Sequence, residues 1–178
     1  YSNLKCCLAN PILNNANVSY ITVENLALKY GGSAAIGYGE NSHHQTYRNL
    51  DVAWIGGTQF SGEVRAGNGI GFYDNSSDIL VETCKVWQCY DAGISNQATS
   101  NNITQNNITI RNNQVWNCEY GYEYFSSGTG TTISNILVEN NTFYNSGYGW
   151  GHNQRPDPLG HSIWLTASPT PTNFVLRN

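Results

Sequence analysis

Six short segments of the chain repeat one arrangement of apolar and polar residues. They are Ile21-Thr-Val-Glu-Asn25, Gln45-Thr-Tyr-Arg-Asn49, Ile79-Leu-Val-Glu-Thr83, Ile108-Thr-Ile-Arg-Asn112, Ile136-Leu-Val-Glu-Asn140 and Phe174-Val-Leu-Arg-Asn178. The first and third positions are mostly apolar and alternate with polar ones, which is the period of a strand with one buried face. The starts lie 24, 34, 29, 28 and 38 residues apart. One coil of a β-solenoid takes roughly two dozen residues, and an irregular excess is what loop insertions on single coils produce.

The fifth position is Asn in five repeats and Thr83 in the other. Asn tolerates the left-handed backbone of a tight turn, and side chains stacked one strand apart can hydrogen-bond as an asparagine ladder. Beyond that turn a second inward column is predicted: Leu28, Val52, Val86, Val115 and Phe143. The fourth position alternates in sign: Glu24, Arg48, Glu82, Arg111, Glu139, Arg177. Only parallel strands stacked in register place each charge between two opposite ones, so the column reads as register control.

A further strand follows a Gly or small residue in each unit, giving a third inward column of Ile36, Ile70, Ile94, Tyr122 and Trp150. Cys89 and Cys118 occupy one position in successive units, either as buried thiols or as a bridge. The fold class these columns predict is all-β: a single-stranded right-handed parallel β-helix of about five to six coils over residues 1–178. Residues 1–16 form an incomplete first coil or cap, and 153–172 a long loop insertion stiffened by its prolines. The absence of Met at position 1 and the strand-like final segment give the expectation of a piece of a longer solenoid.

Composition narrows the partners. A formal net charge of −4 with no basic stripe speaks against nucleic acid, and no apolar run is long enough to span a bilayer. The odd count of five cysteines (Cys6, Cys7, Cys84, Cys89, Cys118) forbids complete pairing within the chain, and none has zinc-site spacing. Sequons at Asn17, Asn75, Asn102, Asn107 and Asn140 fit an extracellular or cell-surface glycoprotein.

The stacked strand-Asn-strand units resemble the pectin-lyase-like superfamily of parallel β-helix proteins over nearly the whole chain from about Asn17. That resemblance implies an extracellular polysaccharide and a groove along one face of the solenoid. The polygalacturonase motifs are missing, including any Asp-Asp pair; the nearest pieces are Gly151-His152-Asn153 and Gly160-His161-Ser162. Calcium is the cofactor that the lyases of this superfamily bring into consideration, although the carboxylates here are scattered in sequence. The fold alone does not choose a chemistry.

Glycoside hydrolysis uses two carboxyl groups about 5–10 Å apart, and β-elimination uses a base near the sugar C5 with a cation on the uronate. Asp91, just before a strand, and Glu123, outward on the next coil, are the expected pair; a turn-stabilising Asp91 and a solvated Glu123 are the plainer alternatives. Arg65, in the insertion between Ile55 and Asn68, and His152, at the start of the long loop, complete the catalytic candidates, each weighed against a structural role. Trp54, Trp87, Trp116 and Tyr144 follow the first turn as an aromatic stripe that either binds sugar or seals the core. Trp87, Trp116, Tyr144 and Arg155 are the substrate-binding candidates. His43 and His44 are expected on a solvated turn. The reading is a lyase or glycoside hydrolase acting on an extended polysaccharide, against a non-catalytic adhesin, fibre or glycan-binding rod.

Overall fold

The computed structural model describes residues 9–37, 39–61, 64–152, 159–167 and 169–178. Its strands wind as a parallel solenoid of three strand rows. The first row holds β1 (Leu13–Asn14), β4 (Ala34–Gly37), β9 (Asn68–Tyr73), the later parts of β11 (Lys85–Ala98) and β13 (Gln114–Ser126), and β16 (Ile163–Ala167). The second holds β2 (Ile21–Glu24), β5 (His43–Arg48), β10 (Ser77–Glu82), β12 (Thr104–Arg111), β14 (Thr132–Glu139) and β17 (Thr172–Arg177). The third holds β3 (Ala27–Lys29), β6 (Asp51–Ile55), the early parts of β11 and β13, and β15 (Thr142–Tyr144). Because β11 and β13 each run through two rows, the first and third rows form one nine-stranded sheet, facing the six-stranded sheet of the second row. A hairpin of β7 (Thr58–Ser61) and β8 (Val64–Ala66) projects from the coil between β6 and β9. Among the described residues no helix is long and apolar enough to cross a membrane.

The repeat dictates this register. The fourth-position charges pair across every step of the six-stranded sheet, from Glu24 opposite Arg48 to Glu139 opposite Arg177. Arg48 Nε lies 2.6 Å from Glu24 Oε2, Arg111 Nη2 2.8 Å from Glu82 Oε2 and Arg177 Nη2 2.7 Å from Glu139 Oε2. The fifth-position residues all turn with φ between 50° and 64°. At that position Asn49 donates to Asn25 Oδ1 at 2.7 Å. A longer run of such bonds lies at the other end of the strands, where Asn173 donates to Asn135, Asn135 to Asn107 and Asn107 to Asp78. His44, a neighbour of Asp78 at 3.6 Å, belongs to β5 and not to a turn, and Tyr20 stacks on its ring.

Inside, the Leu28–Val52–Val86–Val115–Phe143 column is in register as predicted. The third column differs at its last member. Ile36, Ile70, Ile94 and Tyr122 are fully buried neighbours, but the residue paired with Tyr122 is Ile163 of β16, not Trp150. A strand therefore lies within the expected loop of 153–172, and Gly149-Trp150-Gly151 only imitates the strand signature. The inward row also carries polar groups that satisfy one another. Asn15 donates to Gln45 Oε1 and Tyr47 Oη, and Tyr122 Oη donates to Asn96, whose amide donates to Gln105. Most buried polar atoms in folded proteins are bonded in this way. Cys89 and Cys118 stack in register as free thiols, and burial, then the neighbouring Cys118 thiol, pushes Cys89 well above the usual thiol range. Cys84 is likewise free and is pushed up to about 11 by burial. Cys6 and Cys7 lie outside the described residues.

Candidate active site

The face bearing most of the candidates is the junction of the third and first rows, where β11 and β13 bend from one to the other. Cys89 pairs with Cys118 and Ala92 with Tyr120, so two residues of β11, Tyr90 and Asp91, face the single Glu119 of β13 across a bulge. The cross-strand neighbour of Asp91 is thus Glu119, not the expected Glu123. Glu123 faces Ser95, four residues further along β11, a contour of roughly 13 Å at about 3.3 Å per residue. Glu123 does point away from the core, yet it is only 7% exposed: its Oε2 accepts from Ser95 Oγ at 2.6 Å and Gln97 Nε2 at 3.0 Å. It is a bonded, covered carboxylate, not a solvated one.

Glu119, which the sequence reading passed over, is the most heavily engaged acid of the face. At 1% exposure its Oε1 accepts the backbone N–H groups of Leu159 at 2.6 Å and Gly160 at 3.1 Å, and its Oε2 lies 2.6 Å from His152 Nδ1. A carboxylate offers only acceptors, so Nδ1 carries a proton, and whenever the ring is neutral its lone pair sits on Nε2. His152 does not enter the inward column; it sits on the loop at this anchor, with its side chain about a quarter exposed.

The loop after β15 climbs back across three coils. Gly147 N–H bonds Cys118 O, Trp150 N–H bonds the Gln88 side chain at 2.7 Å, and Trp150 Nε1 reaches Ile55 O at 3.1 Å. Its indole lies so close to Gly57 that a Cβ there would collide with Cη2. Below this wall Tyr120 packs against Trp164 with centroids 4.4 Å apart, and exposed His161 lies 6.1 Å from Trp164. Arg65 lies on β8 opposite Gln59, with its side chain outside the described residues; Arg155 is outside them altogether.

The aromatic stripe exists with one change. Trp87, Trp116 and Tyr144 are in register, and their rings are near-parallel, 5.7 Å apart at both steps. The register partner of Trp87 in the coil above is Ala53, so Trp54 belongs to the adjacent left-handed turn position and meets Trp87 only edge-on. Asp51 holds the top of the stripe, accepting from Trp87 Nε1 at 2.9 Å and pairing with Lys29 at 2.6 Å. Among the described residues no group of three or more His, Cys, Asp or Glu is placed to hold a metal ion.

Coils of parallel strands stacked in register around a closed apolar core, with one loop-bordered face, define a parallel β-helix. The family model for the right handed beta helix region matches residues 12–176, and the chain belongs to that family. No curated protein and no solved structure matches it.

Proposed function

We propose that the protein acts outside the cell on an extended polysaccharide, which lies along the face bordered by the climbing loop. The observation that carries this reading is the Glu119–His152 pair: a buried carboxylate fixed by two backbone N–H groups holds one ring nitrogen and leaves the other as a proton acceptor. Positioned imidazoles of this kind serve as general bases, with the acid setting tautomer and orientation. In a β-elimination His152 takes the C5 proton beside the uronate carboxyl as the C4–O bond breaks, and the imidazolium so formed returns a proton to the departing oxygen; in hydrolysis it activates water while Asp91, which faces Glu119 across the bulge, is the carboxyl group assigned to protonate the leaving oxygen. Trp164 and the exposed His161, packed around the buried Tyr120, are the flat rings the proposal offers to a sugar.

The test is a panel of uronate and neutral polysaccharides, followed by reducing-end release and the absorbance of unsaturated products, with and without calcium. Unsaturated products mark a lyase, and reducing ends alone a hydrolase. Glu119→Gln separates the role of the pair from folding. Its amide oxygen can still accept both backbone N–H bonds while its NH2 donates to Nδ1, which moves the ring proton to Nε2 and removes the base, so activity falls steeply in a folded protein. Full activity in that variant rules His152 out as the base.

A second reading is a non-catalytic rod, and the stripe favours it. Trp87, Trp116 and Tyr144 spend their faces on one another and offer mainly edges outward, whereas a sugar stacks on a face. Silence across the whole panel moves the assignment to that rod.

A further inference from the structure

His43 and His44 of β5 are adjacent in sequence, and in a regular strand their side chains would point to opposite faces. Counting back from the buried Gln45, His44 faces outward and His43 would face the core. Instead His44 is left-handed, with φ 54°, which breaks the alternation and brings both rings to one side. Their Nδ1 atoms lie 2.9 Å apart. In the neutral pair one of these nitrogens donates and the other accepts. The turn itself does not call for histidine. The matching positions of the next coils hold Ser77-Asp78, Asn106-Asn107 and Ser134-Asn135, with the second residue left-handed each time.

The neighbouring coils hold the two rings in place. Tyr20 stacks on His44 with centroids 4.7 Å apart and meets His43 edge-on at 5.1 Å. Asp78 belongs to the coil on the other side, with its Oδ2 3.6 Å from His44 Nδ1. That carboxylate is itself oriented, accepting from Asn107 Nδ2 at 2.9 Å and from Ser77 Oγ at 3.1 Å. The bond from Asn107 leads in holding its pKa below the usual carboxylate range, and the bond from Ser77 adds to it against the effect of burial. A metal ion with ligand nitrogens at about 2.05 Å separates them by about 2.9 Å across a right angle and by about 3.3 Å across a tetrahedral one. The spacing of His43 and His44 is the right-angled one, which suits the tetragonal sites of copper(II) and not tetrahedral zinc. Asp78 Oδ2 lies beyond that edge and reaches the ion through a metal-bound water, so two side chains, not three, ligate directly.

We propose that His43 and His44 chelate a divalent copper ion through both Nδ1 atoms, with waters in the remaining places and Asp78 accepting from one of them. Binding moves the shared proton: both ring protons sit on Nε2, and both Nδ1 lone pairs face the ion. The His44 side chain is 52% exposed, so the ion has a path from solvent. Titration of Cu2+ into the whole protein, with accessible thiols alkylated, tests the site by electron paramagnetic resonance. The wild-type chain binds an ion whose spectrum carries the splitting of two equivalent nitrogens. His43→Ser and His44→Asn give this coil the residues that Ser134-Asn135 place in the same turn, so both variants fold, as circular dichroism confirms. Each loses the two-nitrogen splitting. Asp78→Asn keeps that splitting and weakens binding about tenfold. A wild-type spectrum without two equivalent nitrogens overturns the proposal, as does one that persists unchanged in His43→Ser or His44→Asn, which would put the copper on other ligands. Zinc that displaces copper at equal concentration, or an Asp78→Asn variant that binds as tightly as wild type, overturns it as well.

Discussion

Removing the Glu119 carboxylate is the sharpest perturbation of the loop that carries His152. In Glu119→Ala the N–H groups of Leu159 and Gly160 and the Nδ1 of His152 lose their acceptor together. Hydrogen bonds to a charged group contribute about 1.5–3 kcal/mol each. The orphaned groups do not stay buried, because this end of the loop can lift into water, so the loss is local opening more than global unfolding. Two backbone bonds at the low end of that range amount to about 3 kcal/mol, or about 100-fold in the opening equilibrium at 1.4 kcal/mol per decade. Native-state hydrogen exchange reads this directly. The Leu159 and Gly160 amides should exchange about 100-fold faster. The Gly147 and Trp150 amides keep their bonds to Cys118 and Gln88 and should change little. Unchanged exchange at 159 and 160 would refute the anchor. Faster exchange throughout the inward column, at Ile70 and Ile94, would refute the argument differently, by making Glu119 a support of the whole solenoid.

Two other outcomes are expected. Asp74 accepts from the backbone N–H groups of Thr99 and Ser100 and from Ser100 Oγ; burial alone would raise its pKa, but those bonds outweigh it and hold the group below the usual carboxylate range. A depressed folded value stabilises above the unfolded pKa of about 3.9 and loses that contribution as pH falls through the folded value. Asp74→Asn should therefore cost about 1–3 kcal/mol by urea unfolding near neutrality, and that cost should shrink as the pH is lowered below about 3.9; a cost that does not change with pH would contradict the assignment. Ile70→Ala, at a fully buried site between Ile36 and Ile94, should cost about 2–5 kcal/mol in the same assay, whereas Leu165→Ala, half exposed on the last coil, should stay within about 0.5–1 kcal/mol.

The register was legible because its determinants are local. Each coil spends the same number of residues between its first inward apolar position, its charge and its left-handed turn, so aligned letters become stacked atoms. Thus the repeat alone places Glu82 between Arg48 and Arg111. That regularity fails wherever a coil is lengthened. Trp54 is not such a case: Ala53 stands eight residues after Gln45 as Trp87 stands eight after Ile79, so the repeat count itself puts Trp54 one position past the stripe, on the left-handed bend. Trp150 carries the glycine-flanked signature of an inward residue, yet the place under Tyr122 needs a side chain that packs within a strand, and Ile163 supplies it after the chain has climbed and returned. Glu119 was invisible for the complementary reason. Its neighbours in sequence, Cys118 and Tyr120, are core residues, and the groups that neutralise it come from loop positions more than thirty residues later. A charge buried against strand residues has no pattern to betray it when its partners are backbone N–H groups, which every residue type except proline presents alike. The candidate site therefore forms where the repeat is interrupted, and only coordinates reveal which acid the interruption encloses.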